Sequence, residues 1–218
     1  MLNLFRVDPV QAVTIVIAII ISLTVHEFAH SLVALRLGDD TSRREGRLTL
    51  NPLAHIDIIG FIMLLVVGFG WAKPVHIDPR ALKKPQRDEI LISIAGPLSN
   101  LILAILLCLA GWGVVSAGAG MSRTLLVGIF NVLTQAAMIN VGLALFNMLP
   151  IPPLDGSHLV TTWLSRVNMT LAATYFRYGS WALLALIVIQ RVANVNILPV
   201  GRVTAAIVIW FYGLLGIT

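Results

Sequence analysis

Residues 10–35 read VQAVTIVIAIIISLTVHEFAHSLVAL. The stretch holds no Lys, Arg, Asp or Glu before Glu27, and then places His26, Glu27 and His30 in the same apolar run. A bilayer's hydrocarbon core is about 30 Å thick and takes about 20 apolar residues in a helix. The stretch therefore predicts a transmembrane helix with three ionisable groups inside it. Charge at membrane depth is costly and usually functional. His26 and His30 are one turn apart, so both imidazoles project from one face. HEFAH is an H-E-x-x-H pattern that can hold Zn²⁺ at two corners of a tetrahedron. Glu27, about 100° round the helix, is placed to accept a proton from water at the metal. A hydrogen-bonded polar pair in a helix bundle is the bland alternative, and three ionisable positions in lipid make it expensive.

The rest of the chain agrees with a membrane setting. Of 218 residues, 58% are hydrophobic and 11% charged, and mean hydropathy is +0.92. A soluble domain has about a quarter charged residues, so soluble, disordered and disulfide-stapled classes are excluded. The lone Cys108 lies in an apolar run and reads as a core or lipid-facing residue. The net charge of +5 fits basic cytoplasmic loops rather than nucleic acid. Further spans are expected at 90–115 and 124–149, with weaker ones at roughly 175–193 and 200–217. Arg6 before an apolar run resembles a secretory signal, but the run is too long and lacks a cleavage site. A shorter stretch, Ile58 to Trp71, is broken by Gly60, Gly68 and Gly70. Its length suits a re-entrant or β-hairpin-like element, with a short sixth span as the alternative. The expected fold is thus an all-α polytopic membrane protein of five to six transmembrane helices. Residues 1–218 form one membrane-embedded domain, with a core at roughly 10–165 and accessory helices at 175–217.

Two histidines leave a catalytic zinc one protein ligand short. Most carboxylates lie among Arg and Lys in loops, where solvated pairs are the default. Asp155 is the only charged residue between Arg123 and Arg166, in NMLPIPPLDGSHL. The prolines stop the helix and Gly156 permits a tight bend, so the carboxylate can turn inward. Two readings stay open: Asp155 as third ligand, and Asp155 as N-cap of a helix running through His158 and Trp163. His158 is a weaker competitor for the ligand role.

HEFAH, GPLSN at 96–100 and NMLPIPPLDG at 147–156 together resemble the site-2 protease family of intramembrane zinc metalloproteases. GRLTLNPLAHIDIIG followed by GWAKPV is similar to the bacterial subgroup without PDZ or CBS domains. The resemblance covers roughly residues 20–160. It implies one Zn²⁺ per chain on His26, His30 and Asp155, Glu27 as general base and Asn147 as oxyanion donor. It further implies cleavage of peptide bonds in or near transmembrane segments of membrane-protein substrates, that is, regulated intramembrane proteolysis.

Topology can be tested on its own terms. Asp155 follows the third strong helix, so it meets His26 only if the first and third strong helices run parallel. Residues 90–115 must then make the single return crossing, and Ile58–Trp71 must dip and come back. Residues 36–89 then share one side with nine Lys or Arg, against Arg6 and Arg123 opposite. The positive-inside bias makes the HEFAH end cytoplasmic in an integral, multi-pass membrane protein. An extended GFGWAKPV segment could offer an edge strand to an unwound substrate, with Trp71, Lys73 and Val75 as substrate-binding residues. Packing of Trp71 at the membrane interface is the alternative. Ser22 and Thr24 read as lining a water-filled cavity, Asn100 and Asn140 as interhelical hydrogen-bonders, and Gly96 and Pro97 as allowing close approach and a bend around the metal. His55 reads as a solvent-facing loop histidine. A transporter with intramembrane His and Glu, or another H-E-x-x-H enzyme with a different third ligand, are the competing classes.

Overall fold

The computed structural model describes residues 2–68, 70–193, 195 and 197–217, apart from the side chains of Leu2, Asn3 and Arg191. A short helix α1 (Leu2–Val7) leads into α2 (Pro9–Leu37). The Asp8 carboxylate accepts from Gln11 N–H and Pro9 sits in the first turn, which together start the helix. Gly38, at φ 114°, ends it in the left-handed conformation that glycine tolerates. α3 (Thr41–Arg44) caps the following loop.

α4 (Ile58–Val67) is a helix of 10 residues. Asp57 caps its start and Gly68, at φ 85°, its end. Its length of about 15 Å is half a hydrocarbon core. The chain then returns antiparallel to its own approach, with an isolated bridge between Ile56 and Ala72 and a Lys73 N–H to His55 carbonyl bond of 2.8 Å. Among the described residues this turn-back forms no β-strand, so the expected hairpin reduces to a single bridge. Phe69 of the expected GFGWAKPV segment lies outside the described residues. Gly60 and Gly70 make the turn-back compact. A Cβ on Gly60 would lie 2.3 Å from the Trp71 carbonyl oxygen, and one on Gly70 2.2 Å from that of Gly60.

α5 (Pro85–Ala117) and α6 (Arg123–Asn147) follow, then α7 (Ser157–Val167), α8 (Met169–Val192) and α9 (Val200–Leu214). Among the described residues four helices are long and apolar enough to cross a membrane: α2, α5, α6 and residues 169–190 of α8. α8 begins six residues before the expected 175, because Asn168 caps its N-terminus with two backbone N–H bonds. At 15 residues α9 is shorter than a straight crossing requires.

Helix directions follow from the contacts. Along α2 the partners on α5 fall from Asn100, beside His26, to Ile92, beside His30. Along α6 they fall likewise, from Gly118 at Leu126 through Gly111 at Phe130 to Asn100 at Asn140. α5 is therefore antiparallel to both, and α2 and α6 run parallel as the topological argument requires. Ala104, Cys108, Ala137, Val141, Val208 and Tyr212 form the core between α5, α6 and α9. Small side chains dominate because helices in lipid associate by close packing rather than by expelling water.

Candidate metal centre

His26 and His30 come from α2, one turn apart, and Asp155 from the turn that joins α6 to α7. Their side chains converge. His26 Nε2 lies 3.0 Å from His30 Nε2 and 3.1 Å from Asp155 Oδ2, and His30 Nε2 lies 3.5 Å from Asp155 Oδ1. Ligands about 2.0–2.1 Å from a tetrahedral zinc stand roughly 3.4 Å from one another, so these separations match the edges of such a site.

The far side of each imidazole decides what its Nε2 can do. His30 Nδ1 lies 2.7 Å from the Ile92 carbonyl oxygen, which only accepts. His26 Nδ1 lies 2.6 Å from Asn100 Oδ1. The Asn100 amide is oriented by its other end, whose Nδ2 donates to Ser22 carbonyl at 3.1 Å and to Asn140 Oδ1 at 2.8 Å. Both Nδ1 atoms therefore carry hydrogen, assigned from the network, and both Nε2 atoms present lone pairs to one point. Asp155 Oδ2 is buried and makes no hydrogen bond, although it lies close to His26. Two lone pairs and an unpaired carboxylate oxygen facing one another form a set that a dication satisfies. The residues fit zinc.

Room for the rings comes from Gly96 on α5. A Cβ there would sit 2.3 Å from His30 Nε2 and 2.6 Å from His26 Nε2. The Asp155 turn is equally tight: a Cβ on Gly156 would meet the Met148 carbonyl oxygen at 2.2 Å. Gly156 has φ −59°, so close approach rather than an unusual backbone angle requires glycine there. Asp155 is not a helix cap, since α7 starts after Gly156 with no side-chain cap.

Glu27, Asn147, Trp71 and Val75 line the same cavity of about 550 Å³ as His26, His30 and Asp155. Val75 N–H donates to Glu27 Oε2 at 3.2 Å. Asn147 Nδ2 donates back to Leu143 carbonyl within its own helix, at 3.0 Å. The Lys73 side chain is exposed and outside the cavity wall. His158 lines the cavity without joining the ligand cluster. Two expectations need correction. His55 is buried, not solvent-facing: its Nε2 lies 2.9 Å from Thr49 carbonyl, and it helps line an adjoining apolar cavity of about 340 Å³. Ser22 and Thr24 do not line the metal cavity; their hydroxyls bond back to Ala18 and Ile20 carbonyls. Asn100 is the interhelical hydrogen-bonder expected, and its Oδ1 also orients His26, an imidazole of the candidate metal site. Its signal was the four-residue spacing of Ile92, Gly96 and Asn100, which sets all three on the α5 stripe facing His30 and His26.

Residues 14–190 match Peptidase family M50. YwhC of Bacillus subtilis (strain 168), named as a candidate zinc metalloprotease, is 44% identical over 169 residues, covering 74% of this chain and 75% of that one. Rip2 of Mycolicibacterium smegmatis, named in the same way, is 27% identical over 205 residues, 91% of this chain and 73% of its own. MJ0611 of Methanocaldococcus jannaschii, also so named, is 34% identical over 137 residues, 62% of each chain. No solved structure matches the chain significantly. Helices fit to cross a membrane, a ligand set fit for zinc and a match over most of the length converge: the chain belongs to Peptidase family M50, the site-2 protease family, and is a multi-pass membrane zinc metallopeptidase.

Proposed function

We propose that the enzyme hydrolyses peptide bonds in or near transmembrane segments of membrane-protein substrates, the chemistry of regulated intramembrane proteolysis. His26, His30 and Asp155 hold the zinc, Glu27 is the general base, and Asn147 is the oxyanion donor. One observation carries this reading: three ligand atoms meet beside Glu27 at a depth of about 26 Å along α2, inside an apolar span. Bound zinc supplies a Lewis acid that polarises a carbonyl and makes a water acidic near neutral pH.

The protein's own groups do the rest. Glu27 takes a proton from the attacking water as the water oxygen bonds to the scissile carbonyl carbon. It then gives that proton to the amine nitrogen as the C–N bond breaks. Oε2 is held by Val75 N–H, which leaves Oε1 for the proton. Asn147 Nδ2 exchanges its bond to Leu143 carbonyl for the developing oxyanion, a change of side-chain rotamer on a fixed helix.

A helical substrate has its carbonyls already bonded and must unwind to be cut, so its freed backbone needs partners in the membrane. The segment containing Trp71, Lys73 and Val75 is the proposed receiving edge. Lys73 N–H is committed to His55 and Val75 N–H to Glu27. The backbone of Ala72 and the carbonyl of Pro74 therefore offer the outward pairing groups, while Trp71 and Val75 side chains border the cavity. Nine Lys or Arg in residues 36–89 support a cytoplasmic position for the site.

The test is a panel of single-span substrates incubated in detergent with wild type and Glu27→Gln, with and without a zinc chelator. The wild type should cleave at least one, chelation should stop it, and Glu27→Gln should keep its zinc and cleave none. Cleavage by Glu27→Gln at the wild-type rate would remove Glu27 from the mechanism.

A further inference from the structure

Helix α8 follows the motif-bearing part of the chain and reads from sequence as accessory, yet it touches the metal site at successive turns. Tyr175 Oη donates to the Pro150 carbonyl at 2.8 Å. One turn on, Gly179 lies against Pro152 so closely that a Cβ would fall 2.4 Å from the ring's Cδ and 2.5 Å from its Cγ. One turn further, Leu183 is buried at 5% exposure and lines the cavity that holds His26, His30 and Asp155. Residues 175, 179 and 183 are spaced by four and so form one stripe along the helix. Most of the remaining surface of α8 is exposed within the chain, including Phe176, Tyr178, Trp181 and Leu184. Of the buried residues of α8, Gly179 meets the Asp155 turn and Leu183 the cavity, while the helix also packs on α7.

Pro150 and Pro152 lie five and three residues before Asp155, in the turn that leaves α6. From α2 the two histidines meet the tip of the Asp155 carboxylate, and the turn carries backbone bonds of its own, among them Gly156 N–H to the Asn147 carbonyl at 2.7 Å. The prolines are what α8 grips, through one hydrogen bond and one contact that only glycine permits. A proline ring is a stiff neighbour, so a side chain at 179 must push either α8 outward or the turn away from the histidines.

We propose that Gly179, with Tyr175 beside it, is a positioning residue for the third metal ligand, and that α8 clamps the Pro150–Asp155 turn against His26 and His30. This rests on the reading of Asp155 as a zinc ligand. Displacing the turn loosens the site without touching a ligand, as loss of outer-shell support does elsewhere, on the order of 10–100-fold in metal affinity.

The experiment is zinc affinity by chelator competition on the full-length protein in detergent, with thermal unfolding of the metal-free form as a second readout. Variants are Gly179→Ala, Tyr175→Phe, Asp155→Ala and Gly213→Ala. A Cβ on Gly213 meets nothing within 4 Å, so this variant is the control. Alanine is the better helix former, so Gly179→Ala does not weaken α8 itself. The clamp predicts roughly 10–100-fold weaker zinc binding for Gly179→Ala, a smaller loss for Tyr175→Phe, and wild-type affinity for Gly213→Ala. Should Gly179→Ala fail to fold, Tyr175→Phe decides, because it removes one hydroxyl and adds no volume. Unchanged affinity in both α8 variants alongside a large loss in Asp155→Ala overturns the clamp alone. Unchanged affinity in Asp155→Ala overturns the ligand reading beneath it.

Discussion

Asn100 Oδ1 stands 2.6 Å from His26 Nδ1, so a residue 74 positions along the chain sets which nitrogen of a metal-site histidine bears hydrogen. The same amide spans to Asn140 on α6 and to the Ser22 carbonyl on α2. Three helices, α2, α5 and α6, are thereby tied together at the level of the His26–His30–Asp155 cluster.

Asn100→Ala should weaken zinc binding on the order of 10–100-fold, since His26 loses the partner that orients its ring. Chelator competition on purified protein measures this. Asn100→Asp should restore affinity in part, because a carboxylate oxygen accepts from Nδ1 as well. Wild-type affinity in Asn100→Ala would show that the contact does not support the site.

Gly96→Ala should abolish stoichiometric zinc while leaving α5 helical. The added methyl carbon would lie 2.3 Å from His30 Nε2, well inside van der Waals contact. Alanine favours the helix by about 1 kcal/mol over glycine, so lost metal would not reflect a lost helix. Metal analysis with circular dichroism checks both halves, and one zinc per chain in the variant would contradict the seating of the rings.

Val75→Pro removes the N–H that holds Glu27 Oε2 and keeps the segment extended. A hydrogen bond to a charged group contributes about 1.5–3 kcal/mol, so the turnover rate should fall roughly 10–100-fold. Zinc content should stay at one per chain. Turnover unchanged on a cleavable substrate would show that the bond does not orient the base.

Gly60→Ala should act at the same place from a distance. Its Cβ would collide with the Trp71 carbonyl oxygen, and the displaced segment carries Val75 away from Glu27. Turnover should drop on the order of tenfold or more with zinc retained. Loss of zinc together with activity would instead mark a general collapse of the fold.

The parts legible in the sequence are those where lipid makes polarity expensive. HEFAH and the isolated Asp155 stand out because no other charged residue lies between Asp8 and Arg36 or between Arg123 and Arg166. The parallel course of α2 and α6 followed from requiring those groups to meet. Glycine contacts were not legible in the same way: Gly96, Gly156 and Gly179 matter for what stands 2–3 Å away, and sequence does not say which atoms those are. The Val75–Glu27 bond is a backbone contact, blind to side-chain identity. α8 reads as accessory because no motif falls beyond roughly residue 165, and sequence does not say what Tyr175, Gly179 and Leu183 touch. The glycines of Ile58–Trp71 marked a stretch too short to cross, but not that its first part forms a helix, α4, which ends at the left-handed Gly68.

X-ray absorption at the zinc edge of the full-length protein tests the central claim most directly. One zinc per chain should show two imidazole nitrogens with oxygen completing the shell, and Asp155→Ala should lower occupancy or replace a carboxylate oxygen. A spectrum with a single imidazole, or one that Asp155→Ala leaves unchanged at full occupancy, would contradict it.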